Sequence, residues 1–184
     1  MLDRPTLTGS EPDAGLSRLQ SLVQSFNDYL AMTKPPIVVL LLFTAIGGMF
    51  LAAQAVPPWH IALLVCLGGA LGAGGANALN HYLDQDIDEK MSRTAQRPLP
   101  GNRIAPRSAL IFGIVLNVAA FLILGAWVNL LAAFLTLAAT LFYVFVYTMW
   151  LKRTTPQNIV IGGAAGAIPP MVGWVAITGS LDLP

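Results

Sequence analysis

Asn77, Asn80, His81, Asp84 and Asp88 stand three and four residues apart at the end of an apolar run. At about 100° per residue that spacing puts all five within one third of a helix circumference, while Asp86 points the opposite way. Two carboxylates at i and i+4 on one face repel each other. Asp84 and Asp88 therefore require a cation or a cationic ligand, and Asn80, one turn earlier, adds a neutral oxygen. A second set of charges matches the first: Arg93 and Arg97 are also four apart, and Lys152-Arg153 follows another apolar run. Mg²⁺ binds through one or two carboxylates plus phosphate oxygens, and Arg forks fit phosphate. The expected ligand is a Mg²⁺-diphosphate at a membrane boundary, its apolar tail entering the bundle. The plainer alternative is a solvated helix end.

No serine or cysteine nucleophile accompanies a base, and no GxxxxGK[ST] or GxGxxG loop is present. Ionisation of an allylic diphosphate needs neither. Cations stabilise the leaving group, and aromatic faces stabilise a carbocation. Phe142, Tyr143, Phe145, Tyr147 and Trp150 could supply such faces. Trp150 fits an interfacial aromatic belt better, and Tyr147 fits either role.

The elements that must position these residues are membrane helices. Of 184 residues, 55% are hydrophobic and 10% charged, against about 25% charged in a soluble domain. That excludes a soluble globular protein, a disordered chain and, with one cysteine, a disulfide scaffold. Cys66 lies in an apolar run and reads as a small core residue. A net charge of +1 provides no field for nucleic acid. A span takes about 20 mostly apolar residues, and five stretches qualify: Pro36–Ala53, His60–Leu83, Ala109–Val128, Leu130–Trp150 and Ile159–Ile177. Spans three and four, parted at Asn129, must form a tight hairpin.

With five crossings, all 10 Lys and Arg fall on one side: Arg4, Arg18 and Lys34, then Lys90, Arg93, Arg97, Arg103 and Arg107, then Lys152 and Arg153. The positive-inside rule makes that side cytoplasmic, N-terminus included. The first apolar run starts too late for a secretory signal, and Asp3, Glu11 and Asp13 do not suit a transit peptide. A bacterial inner membrane is the simplest location. Leu16, Leu19, Val23, Phe26 and Leu30 follow helical spacing, so residues before Lys34 are expected to form an amphipathic helix on the membrane surface. Gly68, Gly69, Gly72, Gly74 and Gly75 in span two, and Gly162, Gly163, Gly166 and Gly173 in span five, favour close helix approach. Pro169-Pro170 breaks span five, which must then face protein or a cavity.

The motif Asn80-x3-Asp84-x3-Asp88, followed by Arg93-Thr94 and Arg97-Pro98-Leu99-Pro100, resembles the UbiA superfamily of intramembrane prenyltransferases. The wording NHYLDQDIDEKMSRTAQRPLP, then YTMWLKRTTPQNIVIGGAAGAIPPMVGW at Tyr147–Trp174, is similar to its haem-modifying branch rather than its quinone or chlorophyll branches. The resemblance runs from about Lys34 onward. It implies an all-α integral membrane fold, here five helices resembling the first part of a nine-helix bundle. Residues 1–34 would be a cytoplasmic segment and 35–184 part of the membrane domain. It further implies Mg²⁺ as cofactor, farnesyl diphosphate and haem b as substrates, and haem-modifying or oxidase-assembly proteins as partners in the bilayer. The farnesyl carbon would join a haem vinyl group, with water supplying a hydroxyl. On matching positions, Asn80, Asp84 and Asp88 would hold Mg²⁺-diphosphate, and Arg93, Arg97, Lys152 and Arg153 would be leaving-group partners. Tyr147, Asn77 and His81 join this set as further site positions.

Gln85 stands where the family often has Arg, on the flank of the motif. The family also carries a second aspartate-rich loop between helices six and seven, so a chain of 184 residues is expected to be a fragment, inactive unless completed. Two other readings stay open: a transferase acting on another aromatic or chlorin acceptor, and a transporter or cation-binding subunit. Transporter sites lie near the bilayer midplane, whereas these acids lie at a helix end. His60 and His81, 21 positions apart, are about 30 Å apart along a helix and cannot ligate one haem. His81 could assist the acid face or be an interfacial histidine.

Overall fold

The computed structural model describes residues 14–182, and every described element is helical. The acids, prolines and Arg4 of the first thirteen residues, together with their reading as neither signal nor transit peptide, lie outside the described residues. A surface helix α1 (Ala14–Thr33) precedes five helices long and apolar enough to cross a membrane: α2 (Pro35–Ala53), α3 (Trp59–Leu83), α5 (Pro106–Trp127), α6 (Leu130–Thr154) and α7 (Asn158–Thr178). The short α4 (Gln85–Asp88) follows α3.

The boundaries have local causes. Lys34 takes a left-handed conformation, φ 54°, and Pro35-Pro36 then starts α2, where a missing amide costs nothing. Pro106 starts α5 in the same way. Asn129 makes the hairpin between α5 and α6: its Oδ1 accepts the Ala132 amide at 2.8 Å, and its Nδ2 donates to the Val175 carbonyl at 2.9 Å. One side chain thus caps α6 and ties it to α7. Pro169 and Pro170 open the second half of α7 after a 3₁₀ stretch, Gly163–Ala167.

In lipid, helices associate through packing between small residues. α3 packs chiefly on α5, and α2 on α7. Gly75 and Gly113 face each other, so that a Cβ on either would come within 3.0 Å of the other's carbonyl oxygen. A Cβ on Gly173 would strike the Ala45 carbonyl, and one on Gly48 the Pro170 carbonyl. Gly163 and Gly166, by contrast, approach nothing among the described residues. Ala45, Met49, Val65, Ala132, Val172 and Val175 form one core. Met32, Ala78, Leu99, Ile104 and Ala109 form a second, where the long loop after α4 folds over the ends of α1, α3 and α5.

Two expectations are corrected. The polar helix does not run on to Asp88: it ends at Leu83, Asp84 leaves helical geometry, and a new short turn begins. The inner half of α6, Phe142–Leu151, is a π-helix rather than an α-helix. On α1, Leu19, Val23, Phe26 and Leu30 are exposed while Tyr29 and Met32 pack inward, so an apolar stripe is left on the outer face.

Candidate active site

Asp84 sits where α3 stops. Its amide donates to the Asn80 carbonyl at 2.9 Å, and its own carbonyl accepts the amides of Ile87 at 3.0 Å and Asp88 at 2.8 Å. This turn keeps the two carboxylates on one side although the helix has broken. The Asp84 side chain is fully buried. Its Oδ2 accepts from Asn80 Nδ2 at 2.6 Å and from Lys152 Nζ at 2.5 Å. Its Oδ1 is buried with no hydrogen-bond partner among the described residues. Asn80 Oδ1 accepts from Lys34 Nζ at 2.8 Å, and its Nδ2 also reaches Thr148 Oγ1 at 3.2 Å. Asp88 Oδ2 accepts from Arg97 Nη1 at 2.6 Å, and Thr94 Oγ1 donates to the Asp88 carbonyl at 2.9 Å. The repulsion read from the sequence is thus answered first by the chain's own Lys152 and Arg97.

The π-helix positions Thr148. Its Oγ1 donates to the Tyr143 carbonyl five residues back at 2.9 Å, turning its oxygen toward Asn80. Burial pushes the Lys34 ammonium down to about 8, and the positive Arg97 and Lys152 push the same way. Several cations thus crowd around two acids, an arrangement ready for an anion.

Arg153 departs from the expected role. Its Nη1 and Nη2 grip Asp86 at 2.9 and 2.8 Å, and Nη2 also donates to the Leu83 carbonyl at 2.8 Å. Hydrogen bonding from Arg153 holds the exposed Asp86 carboxyl down at about 2. This pair braces the outside of the turn, because Asp86 faces away from Asp84 and Asp88. Arg93 is exposed and touches neither acid. With His81 it lines a separate cleft.

Next to the polar cluster lies an apolar cavity of about 290 Å³ between α2, α3, α6 and α7. Asn77 and Tyr143 line its polar end, and Gly69, Gly72, Val65 and Val172 line the rest. Asn77 is fixed by donating to the Thr33 carbonyl at 2.9 Å. Tyr147 stacks on Tyr143, centroids 5.2 Å apart at 15°, and its ring presses on Gly162. The aromatic face lining the cavity is therefore Tyr143, with Tyr147 behind it. Phe145 and Trp150 are exposed, as belt residues are. Lys34 and Thr148 are the site residues that sequence spacing misses, while Tyr143, one of the candidate aromatics, is the one that lines the cavity. Lys34 lies 46 positions from Asn80 and Thr148 lies 68, and only the register of the polar faces could have hinted at them.

Among the described residues no three His, Cys, Asp or Glu side chains converge on one point. The donor set suits Mg²⁺ nonetheless, because that ion takes few protein carboxylates and completes its shell with phosphate oxygens and water. The buried, unpartnered Asp84 Oδ1 is a free hard ligand for it.

Fold and site together define a multi-pass helical membrane protein that sets cations and carboxylates beside an apolar cavity. Residues 41–184 match the UbiA prenyltransferase family, and the chain belongs to that family. The protoheme IX farnesyltransferase of Symbiobacterium thermophilum is 54% identical over 165 residues, covering 90% of this chain and 55% of that protein. That of Alkalilimnicola ehrlichii is 54% identical over 157 residues, covering 85% and 52%. The chain thus spans about half the length of these relatives. Among solved structures, one described for digeranylgeranylglyceryl phosphate synthase in membranes superposes with a TM-score of 0.75, covering 83% of this chain and 53% of that one. At 21% identity this is a likeness of fold.

Proposed function

We propose that the protein transfers a farnesyl group from farnesyl diphosphate to a vinyl group of haem b, at the cytoplasmic face of a bacterial inner membrane. The observation that carries this reading is the juxtaposition of buried Asp84, held by Lys152 and Asn80, with an apolar cavity lined by Tyr143. The names of the relatives support haem as acceptor.

Asn80, Asp84 and Asp88 would hold the metal-bound diphosphate. Mg²⁺, when bound, supplies positive charge to the leaving group. Lys152 and Arg97, which pair with the two acids, stabilise the diphosphate as it departs with the electron pair of its bond to carbon 1. The Tyr143 ring faces the allylic cation. The vinyl π-electrons form the new carbon–carbon bond, water captures the resulting cation, and a proton is released. The dry cavity walls keep water from the allylic cation until then.

Purified protein in nanodiscs, given farnesyl diphosphate, haem b and Mg²⁺, should yield a haem carrying one farnesyl group and one added water by mass spectrometry. Chelation of Mg²⁺ should abolish the product. The assay is run with residues 1–184 and with a protein of the relatives' full span. Transfer by the shorter chain would show that five spans suffice. Prenylation of 4-hydroxybenzoate in preference to haem b would overturn the acceptor, and no transfer by either protein would overturn the reading.

A further inference from the structure

A second cleft, of about 340 Å³, opens on the loop side of α3 and shares no lining residue with the apolar cavity. Lys34, His81, Arg93, Gln96, Arg97 and Arg103 line it, and among the described residues no acid does. At its wall His81 is 3% exposed, and neither ring nitrogen has a hydrogen-bond partner. A buried polar group left this way costs free energy unless something occupies the cleft beside it.

The charges say what that occupant is. Arg97 is engaged by Asp88, and Arg103 by Asp28, whose oxygens lie 2.9 and 3.1 Å from Arg103 Nε. Lys34 bonds a neutral amide oxygen, and Arg93 has no carboxylate partner among the described residues. Neither cation therefore has an ion-pair partner among the described residues, and a neutral donor lies beside them. Asp84 and Asp88 do not line this cleft, so it suits an anion that arrives without a metal. Arg forks and an imidazole N–H fit carboxylate oxygens.

We propose that this cleft binds the carboxylates of the acceptor, with Lys34 and Arg93 supplying charge and His81 a hydrogen bond. The inference rests on the acceptor being haem, whose two propionates match the two cations that lack an ion-pair partner. Propionate and vinyl groups sit toward opposite edges of the porphyrin, so anchoring one edge here leaves the other free to meet the prenyl group. The cleft then selects acceptors by their acid groups, separately from the diphosphate.

Absorbance titration of the purified full protein with protohaem IX and with its dimethyl ester tests this. The free acid should bind about tenfold or more tightly than the ester, the scale of a charge-assisted hydrogen bond. Arg93→Gln, at an exposed position, and His81→Leu should shrink that ratio toward one, and His81→Gln, which keeps a donor, should restore it. Affinity for Mg²⁺-pyrophosphate should change less than twofold in Arg93→Gln. Equal binding of acid and ester would overturn the inference and leave the haem reading intact. A loss of pyrophosphate affinity with an unchanged acid-to-ester ratio would assign the cleft to the diphosphate and overturn it too. No haem binding at all would overturn both.

Discussion

Asp84 and Asp86 are two positions apart and have opposite environments. Asp84 is fully buried under Asn80 and Lys152, whereas Asp86 is exposed and held only by Arg153 on the outer surface. In the proposed reaction Asp84→Asn removes a charge that would hold the metal-bound diphosphate, and it should lower turnover by about 10²-fold or more, the scale of losing one electrostatic stabiliser. Asp86→Asn breaks a surface pair and should leave turnover within about twofold. Steady-state rates with Mg²⁺ in excess check both, and equal losses would sink the face assignment. Lys34 gives a dependence on pH. Its ammonium is depressed from 10.5 to about 8, so above pH 8 the unfolded chain holds more of its proton than the folded chain does. Stability from this group therefore rises between about pH 8 and 10.5. The melting temperature in detergent should climb across that window relative to Lys34→Met, and parallel curves would refute the shift. The acids and cations were legible in the sequence because charges stand out in an apolar chain. The contacts of Lys34 and Thr148 with Asn80 were not, since nothing local encodes partners 46 and 68 positions away.

At the scale of helices, small-residue stripes announced close packing, but not which residue of each pair meets a neighbour. Gly47 and Gly48 are adjacent in α2 and differ completely. A Cβ on Gly47 meets nothing within 4 Å, while one on Gly48 runs into the Pro170 backbone of α7. A backbone carbonyl cannot rotate aside as a side chain can, so Gly48→Ala forces α2 and α7 apart. It should destabilise the protein by about 1–3 kcal/mol, as overpacking does. Gly47→Ala should instead be neutral or stabilising by up to about 1 kcal/mol, because glycine is a poor helix former. Unfolding in mixed micelles separates the two, and indifference to both would contradict the contact between α2 and α7. Those helices are not neighbours in the chain, so sequence could place the spans to within about four residues and still not pair them. The π-helix of Phe142–Leu151 was equally hidden, because its residues also suit an α-helix and nothing local marks Thr148 as the residue that bonds both Tyr143 and Asn80.

For the whole molecule, the distribution of charge predicts an orientation with the cationic loop cytoplasmic. The α2–α3 connection holds no Lys or Arg, whereas the loop after α4 carries Lys90, Arg93, Arg97 and Arg103, and Arg107 follows in the first turn of α5. A cation at the centre of a spanning helix costs about 2.5–3.5 kcal/mol on insertion scales, and short cationic loops are accordingly retained on the cytoplasmic side. The candidate site lies at that same end, since Arg97 of the loop and Lys152 of α6 both pair with its acids. Orientation and site placement are thus one prediction. In a background with Cys66→Ala, Ala55→Cys should react with a membrane-impermeant thiol reagent in intact spheroplasts, and Ser92→Cys only after the membrane is permeabilised. Both positions are exposed, so access to reagent rather than burial decides the outcome. Labelling of Ser92→Cys in intact spheroplasts would turn the protein over. It would place the carboxylates and their cations on the outer side and remove the proposed cytoplasmic delivery of diphosphate substrate.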